Sequence, residues 1–172
     1  HTGTNAFEGG VLAPNGKIIL VPLNSQYVGI YDPSTSTNNP NGSYDDGPQQ
    51  SHYPGVSAFM GGVLAPNGKI IFVPFNSPNV GIYDPSTNVY TNGPSFNPAP
   101  LFIGGVLAPN GKIIFVPYGN TKVGIYDPST DTYTDGQEHG KDYAAFRGGV
   151  LAPNGKIIFV PFNSQNVGIY DP

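Results

Sequence analysis

Eleven residues, GGVLAPNGKII, occur four times without a change, at Gly9–Ile19, Gly61–Ile71, Gly104–Ile114 and Gly148–Ile158. Each copy continues through a variant of FVPFNSxNVGIYDP and ends at Pro33, Pro85, Pro128 and Pro172. Successive copies begin 52, 43 and 44 residues apart. A period in the forties belongs to propeller blades or to some helical repeats, and the residues decide between them. No stretch between breakers carries the i, i+3, i+4 apolar spacing of a helix. What recurs is strand, turn, strand, loop, strand.

The turn is Asn-Gly, at Asn15-Gly16, Asn67-Gly68, Asn110-Gly111 and Asn154-Gly155. Between apolar runs this pair signals a tight hairpin, with both turn residues expected at positive φ. The run after it, Ile-Ile-Phe-Val, is apolar on both alternating faces, as in a strand covered on two sides. A third strand, Val-Gly-Ile-Tyr, stops at Asp-Pro-Ser-Thr, where Asp can accept from nearby amides and Pro sets φ. The glycine within it, Gly81 for example, suits close approach of a neighbouring backbone. Repeats two and three add a fourth strand at Asn88–Thr91 and Asp131–Thr134. The fold class expected is all-β: a β-propeller-type repeat protein of four blades, each of three to four antiparallel strands.

Residues 1–172 read as a single repeat domain with blade cores 9–33, 61–94, 104–136 and 148–172 and a polar insertion over 34–60. Glycine (24) and proline (19) make up a quarter of the 172 residues, a share that would suggest disorder if it were not periodic. The start at His1 rather than Met reads as a mature or trimmed product. The fourth unit stops at Pro172 before any outer strand, and His1–Glu8 lead into the first strand, badly placed to supply one.

PNGKIIFVPFNSQNVGIYDPST resembles the YVTN repeat of surface-layer β-propellers and is also similar to kelch-like blades. The resemblance spans the repeated core of all four units. It implies a blade and an extracellular or cell-surface setting. It implies no activity, since propellers host many.

Charged residues are only 10% of the chain, and the net charge is −4 with seven cations in all. That argues against nucleic acid, which needs clustered Lys and Arg. No apolar run approaches the roughly 20 residues of a membrane span. There is no cysteine, which excludes thiolate and disulfide chemistry.

Candidate chemistry is sparse. His1, His52 and His139 sit in non-equivalent variable segments without ligand spacing; an N-terminal histidine can chelate copper, but no second histidine is placed to help. Asp32, Asp84, Asp127 and Asp171 repeat once per blade and read as turn caps rather than as calcium ligands. Lys17, Lys69, Lys112 and Lys156 read as solvated turn residues. Asp45-Asp46 and the Asp135–Asp142 stretch lack a nearby nucleophile or base, so the chain is expected not to be an enzyme and to need no metal or cofactor.

Function in repeat proteins concentrates where the copies differ. The loop after the second strand varies: Leu23, Asn24 and Tyr27; Phe75, Asn76 and Asn79; Tyr118, Asn120 and Lys122; Phe162, Asn163 and Asn166. Each offers a bulky apolar or aromatic residue beside amides. That suits glycan stacking and hydrogen bonding, or simply plugs the gap between blades. Asn41-Gly42-Ser43 is an N-glycosylation sequon. Two functions follow as expectations: a structural module partnering other copies of itself in a surface layer, matrix or filament, or a lectin or adhesin with repeated rim sites.

Overall fold

The computed structural model describes residues 4–34, 40–51, 56–140 and 143–172. They hold fifteen strands and no helix. The first blade is β1 (Phe7–Leu12), β2 (Ile18–Pro22), β3 (Tyr27–Asp32) and β4 (Ser43–Gln49). The second is β5 (Phe59–Leu64), β6 (Ile70–Pro74), β7 (Asn79–Asp84) and β8 (Val89–Ser95). The third is β9 (Phe102–Leu107), β10 (Ile113–Pro117), β11 (Lys122–Asp127) and β12 (Thr132–Glu138). The fourth is β13 (Phe146–Leu151), β14 (Ile157–Pro161) and β15 (Gly168–Tyr170). Each sheet is an antiparallel meander in chain order.

The hairpins differ from the expected two-residue turn. Only the glycine adopts positive φ, at +82° in Gly16. Gly16 N–H donates to Ala13 O at 3.0 Å, and Ala13 N–H donates to Lys17 O at 2.8 Å. The loop is therefore three residues, Pro-Asn-Gly, a tight turn closed by a left-handed glycine. Pro14 presets the φ of the first position. The Asn15 side chain accepts from Lys17 N–H at 3.1 Å, so Asn acts here through its carbonyl and not through left-handed backbone.

The polar segment after the first blade core contains β4, a strand the residues were not expected to form. Its side chains, SYDDGPQ, look like loop. Yet Tyr44 pairs with Tyr31 in register, as Tyr90 does with Tyr83 and Tyr133 with Tyr126. Gly47, Gly93 and Gly136 follow three residues after these tyrosines, each beneath the Cδ1 of Ile30, Ile82 or Ile125. The shared pattern is Tyr-x-x-Gly, and outward polar residues disguise it.

Consecutive blades stack through one repeated seam. The first blade presents Ile19, Val21, Val28 and Ile30 to Phe59, Ile70, Phe72 and Tyr83 of the second. The second and third blades, and the third and fourth, pack through the same positions. Among the described residues no such cluster joins the fourth blade to the first. The innermost strands meet along their glycines: a Cβ added to Gly61, at φ +95°, would lie 3.0 Å from Gly104 Cα. No larger residue allows that approach.

The glycine within the third strand serves a different end from the one expected. At Gly81 the vacant side-chain space is filled by the ring of Phe59, which reaches across β6 from β5; a Cβ on Gly81 would lie only 2.9 Å from that ring. Phe59 and Phe72 lie 5.6 Å apart, and Tyr90 stacks on Phe72 at 6.3 Å. An aromatic layer, not a neighbouring backbone, requires the glycine.

Candidate functional site

The loops after β2, β6, β10 and β14 lie on one rim, beside the entry into the next blade. Leu23 N–H donates to Ala6 O at 3.0 Å, and Ala58 N–H of the second blade donates to Leu23 O at 2.8 Å. Leu101 N–H donates likewise to Phe75 O at 3.1 Å, and Ala144 N–H to Tyr118 O at 2.6 Å. The rim is thus stitched blade to blade by backbone.

Of the bulky rim residues, Leu23 is buried, Phe75 and Tyr118 are half-buried, and Phe162 is 50% exposed. Phe75 and Tyr118 rings are 5.7 Å apart, Tyr118 and Phe162 6.4 Å, so a row of rings runs along the rim. Tyr143, 62% exposed, packs edge-on to Tyr118 at 5.3 Å. The Arg147 guanidinium lies 4.7 Å over the Phe162 ring. Tyr143 and Arg147 were not legible as rim residues because they precede or begin a strand.

The amides beside these rings are engaged internally. Asn24 Nδ2 donates to Asn5 O at 3.0 Å and its Oδ1 accepts from Ser57 N–H at 2.9 Å. Asn76 Nδ2 donates to Val56 O at 2.7 Å, and Asn163 Nδ2 to Tyr143 O at 3.4 Å. Asn79 Nδ2 reaches Gly93 O at 3.2 Å, and Asn120 Oδ1 accepts from Lys122 N–H at 2.9 Å. Asn166 N–H donates to Ser164 Oγ at 3.2 Å, and Tyr27 N–H to Ser25 Oγ at 3.0 Å. Lys122 Nζ sits 3.0 Å from Asp135 Oδ2, and that carboxylate raises the lysine pKa.

The opposite rim carries the Pro-Asn-Gly hairpins and the Asp-Pro turns. Ser86 N–H and Oγ donate to Asp84 Oδ1 at 2.9 and 2.6 Å, and the hydroxyl and amide hold its carboxyl below the usual range. Asp127 is held low by Ser129 in the same way. Turn capping, as expected, is what these aspartates do. Lys17 and Lys156 are not merely solvated, since they pair with Asp32 at 3.4 Å and Asp171 at 3.0 Å. Asn15 Nδ2 also donates to Pro85 O of the next blade at 3.2 Å, and Asn67 Nδ2 to Pro128 O at 3.1 Å. The repeated asparagine is a tie between blades as well as a turn residue, a role that no local pattern announces.

His1, His52 and Asp142 lie outside the described residues. His139 Nε2 is 2.8 Å from Asn120 O, and its ring packs edge-on to Phe146 at 5.5 Å, so it is part of the blade seam rather than a loose loop residue. Asn41 is exposed on the turn before β4, and its carbonyl accepts from the Tyr31 hydroxyl.

Among the described residues, the end blades carry exposed apolar side chains at positions that are buried in the middle blades. Val160, Val167 and Ile169 are 47%, 55% and 66% exposed, although Val73, Val80 and Ile82 at the same positions of the second blade are buried. On the first blade the opposite face, Phe7, Ile18, Leu20 and Tyr31, is half-exposed, whereas Phe59, Ile70, Phe72 and Tyr83 are buried.

The geometry just described recurs in solved structures. Virginiamycin B lyase from Staphylococcus aureus matches 98% of the chain at a TM-score of 0.77 and 16% identity. This chain has a β-propeller-type fold. It spans about half of the lyase, 53% of that protein's length. The extracellular domain of the one-component system BT4673 from B. thetaiotaomicron matches 98% of the chain and 22% of its own, with a TM-score of 0.70 and 13% identity. An auxiliary nutrient binding protein from Bacteroides ovatus matches 96% of the chain and 39% of its own, with a TM-score of 0.64 and 16% identity. No protein-family model and no curated protein matches the chain. These likenesses support the propeller-type fold and not the YVTN or kelch type in particular.

They also correct one expectation. The chain was expected not to be an enzyme because it lacks a catalytic motif. The lyase is an enzyme, and it shares this fold. Propeller rims gather side chains from separate blades, so a missing contiguous motif gives no ground for excluding catalysis.

Proposed function

We propose that this chain is a propeller-type interaction module whose end blades pair head to tail with other copies, building a ring or filament in an extracellular layer or matrix. The observation that carries the reading is the pair of open blade faces. The valine and isoleucine face of the fourth blade and the aromatic face of the first are the two halves of a seam the chain already forms between its own blades. An exposed apolar patch of this kind marks an interaction site.

Charge supports the pairing. Glu8, Met60, Ile103 and Arg147 hold the same position in successive blades. The two apolar residues fall in the middle, while the end blades carry opposite charges, so Arg147 of one copy would meet Glu8 of the next. The pairing is heterologous, and it closes into a ring if the rotation allows and otherwise grows as a filament. The extracellular domain among the neighbours supports the setting.

Sedimentation velocity across a concentration series tests it. The wild type is expected to form dimers or larger species, and Val160→Asp and Leu20→Asp each to stay monomeric. A wild type that is monomeric at every concentration overturns the reading.

The exposed rings of Tyr143 and Phe162 favour a second reading, glycan stacking along the rim. A glycan array is expected to lose its signal on Phe162→Ala, and an array with no signal for the wild type removes this reading.

A further inference from the structure

An Asn-Gly pair is where a main chain can cyclise on its own side chain, because glycine leaves its nitrogen unhindered. The chain holds six such pairs, at Asn15, Asn41, Asn67, Asn92, Asn110 and Asn154. In the four hairpins both reacting groups are occupied. The Asn Oδ1 accepts from the lysine N–H two residues on at 3.1 Å, and the glycine N–H donates to an alanine carbonyl at 3.0 Å. Asn92 lies within β8, its Oδ1 accepting from Ser51 Oγ at 2.7 Å and from the Tyr90 hydroxyl at 3.0 Å. Asn41 is the exception. It is exposed, and among the described residues no hydrogen bond engages its side chain or the Gly42 N–H.

The turn at Asn41 also differs from its counterparts in the next two blades. There the residue before the outer strand, Asn88 or Asp131, is left-handed at φ +56° and +53°. Its side chain accepts from the Tyr83 or Tyr126 hydroxyl at 3.0 Å. In the first blade that place belongs to Gly42, at φ +78°, where an added Cβ would lie 2.8 Å from the Tyr31 hydroxyl. With no side chain to bond, Tyr31 donates instead to Asn41 O, the carbonyl of the peptide bond joining Asn41 to Gly42. When the Gly42 nitrogen gives up its proton, negative charge spreads onto that oxygen. A donor already aimed at developing charge lowers the barrier.

We propose that Asn41 is a site of spontaneous succinimide formation and deamidation, promoted by the Tyr31 hydroxyl. The Gly42 nitrogen bonds to Asn41 Cγ, the Cγ–Nδ2 bond breaks, and ammonia leaves with the proton that Gly42 gave up. Water then opens the ring. Attack at Cγ gives aspartate, and attack at the main-chain carbonyl gives isoaspartate. Isoaspartate adds a methylene to the main chain just before β4 and turns the carbonyl held by Tyr31 into a free carboxylate. The modified turn therefore loosens β4 from β3. The site depends neither on head-to-tail assembly nor on a ligand at the rim.

The test holds the full chain in mildly alkaline buffer, folded or in urea, and follows each Asn-Gly pair by peptide mapping with mass spectrometry. In the folded chain Asn41 is expected to convert at least about tenfold faster than Asn15 or Asn67. In urea all the pairs are expected to convert at comparable rates, because the bonds that protect the hairpins are gone. Tyr31→Phe is expected to slow Asn41 about threefold to tenfold in the folded chain, the weight of one hydrogen bond, and to leave its rate in urea unchanged. Tyr83→Phe, which removes the equivalent hydroxyl from the second blade, is expected to leave the Asn41 rate unchanged. A turn merely loosened by Tyr31→Phe would convert faster, and the hairpin asparagines show in the same sample whether the chain has unfolded. Equal rates at Asn41 and the hairpins in the folded chain, or an Asn41 rate that Tyr31→Phe leaves unchanged or raises, overturns the proposal.

Discussion

β6 and β14 have the same sequence, Ile-Ile-Phe-Val-Pro, and different surroundings. Every residue of β6 is buried. In β14 Ile157 and Phe159 are buried against the third blade, Ile158 is half-buried and Val160 and Pro161 are exposed. The difference teaches that burial here belongs to the seam and not to the strand. A blade is stable on a given face only where another blade stands opposite, as expected for a repeat whose units cannot cover themselves.

The largest test of that comparison is a pair of matched truncations. Ile71→Ala leaves a cavity between the second and third blades and is expected to cost about 2–5 kcal/mol. Ile158→Ala, on the open side of the fourth blade, is expected to cost less than about 1 kcal/mol. Urea midpoints for the two variants check it, and equal losses would break the comparison.

A smaller effect separates the asparagines. Asn67→Ala removes both the cap on Lys69 N–H and the tie to Pro128 O, and about 1–2 kcal/mol is expected. Asn154→Ala removes the cap on Lys156 N–H and, among the described residues, no tie to a neighbour, so about half that loss is expected. Thermal melts of the two variants sharpen the comparison.

The smallest effect concerns pH. The folded-state pKa values of Asp84 and Asp127 are lowered by Ser86 and Ser129, so their contribution to stability is fully present above the unfolded value of 3.8 and is lost as pH falls through the folded value. Asp84→Asn is expected to lower the melting temperature slightly at neutral pH and to flatten the acid limb, so that melting profiles of variant and wild type converge as pH falls below the folded value.

Much of the blade was legible. The hairpins, the doubly apolar second strand and the capping aspartates depend on residues close in sequence, and pattern reports such things directly. β4 was not legible because three of its seven residues are Asp45, Asp46 and Pro48, and only Tyr44, Gly47 and Pro48 are even half-buried. The pairing of Gly81 with the Phe59 ring was hidden by their distance along the chain and by an intervening strand. At the rim, composition alone pointed to free amides, while Asn24, Asn76 and Asn163 turn out to brace the backbone of the blade entry. The asymmetry of Val73 and Val160 has no local signal at all, because it arises from what stands beside each blade.

The seam repeated between consecutive blades has a consequence for inheritance. Because each unit meets its neighbours through the same side chains, a whole unit is an interchangeable part. Excising residues 61–103 would join Met60 to Gly104 and bring the first blade against the third, which presents Ile113, Phe115 and Tyr126 where Ile70, Phe72 and Tyr83 had been, with Phe59 kept in the place of Phe102. Unequal recombination between the four identical undecapeptides can therefore lengthen or shorten this chain by a blade at a time, and the join is invisible to the protein.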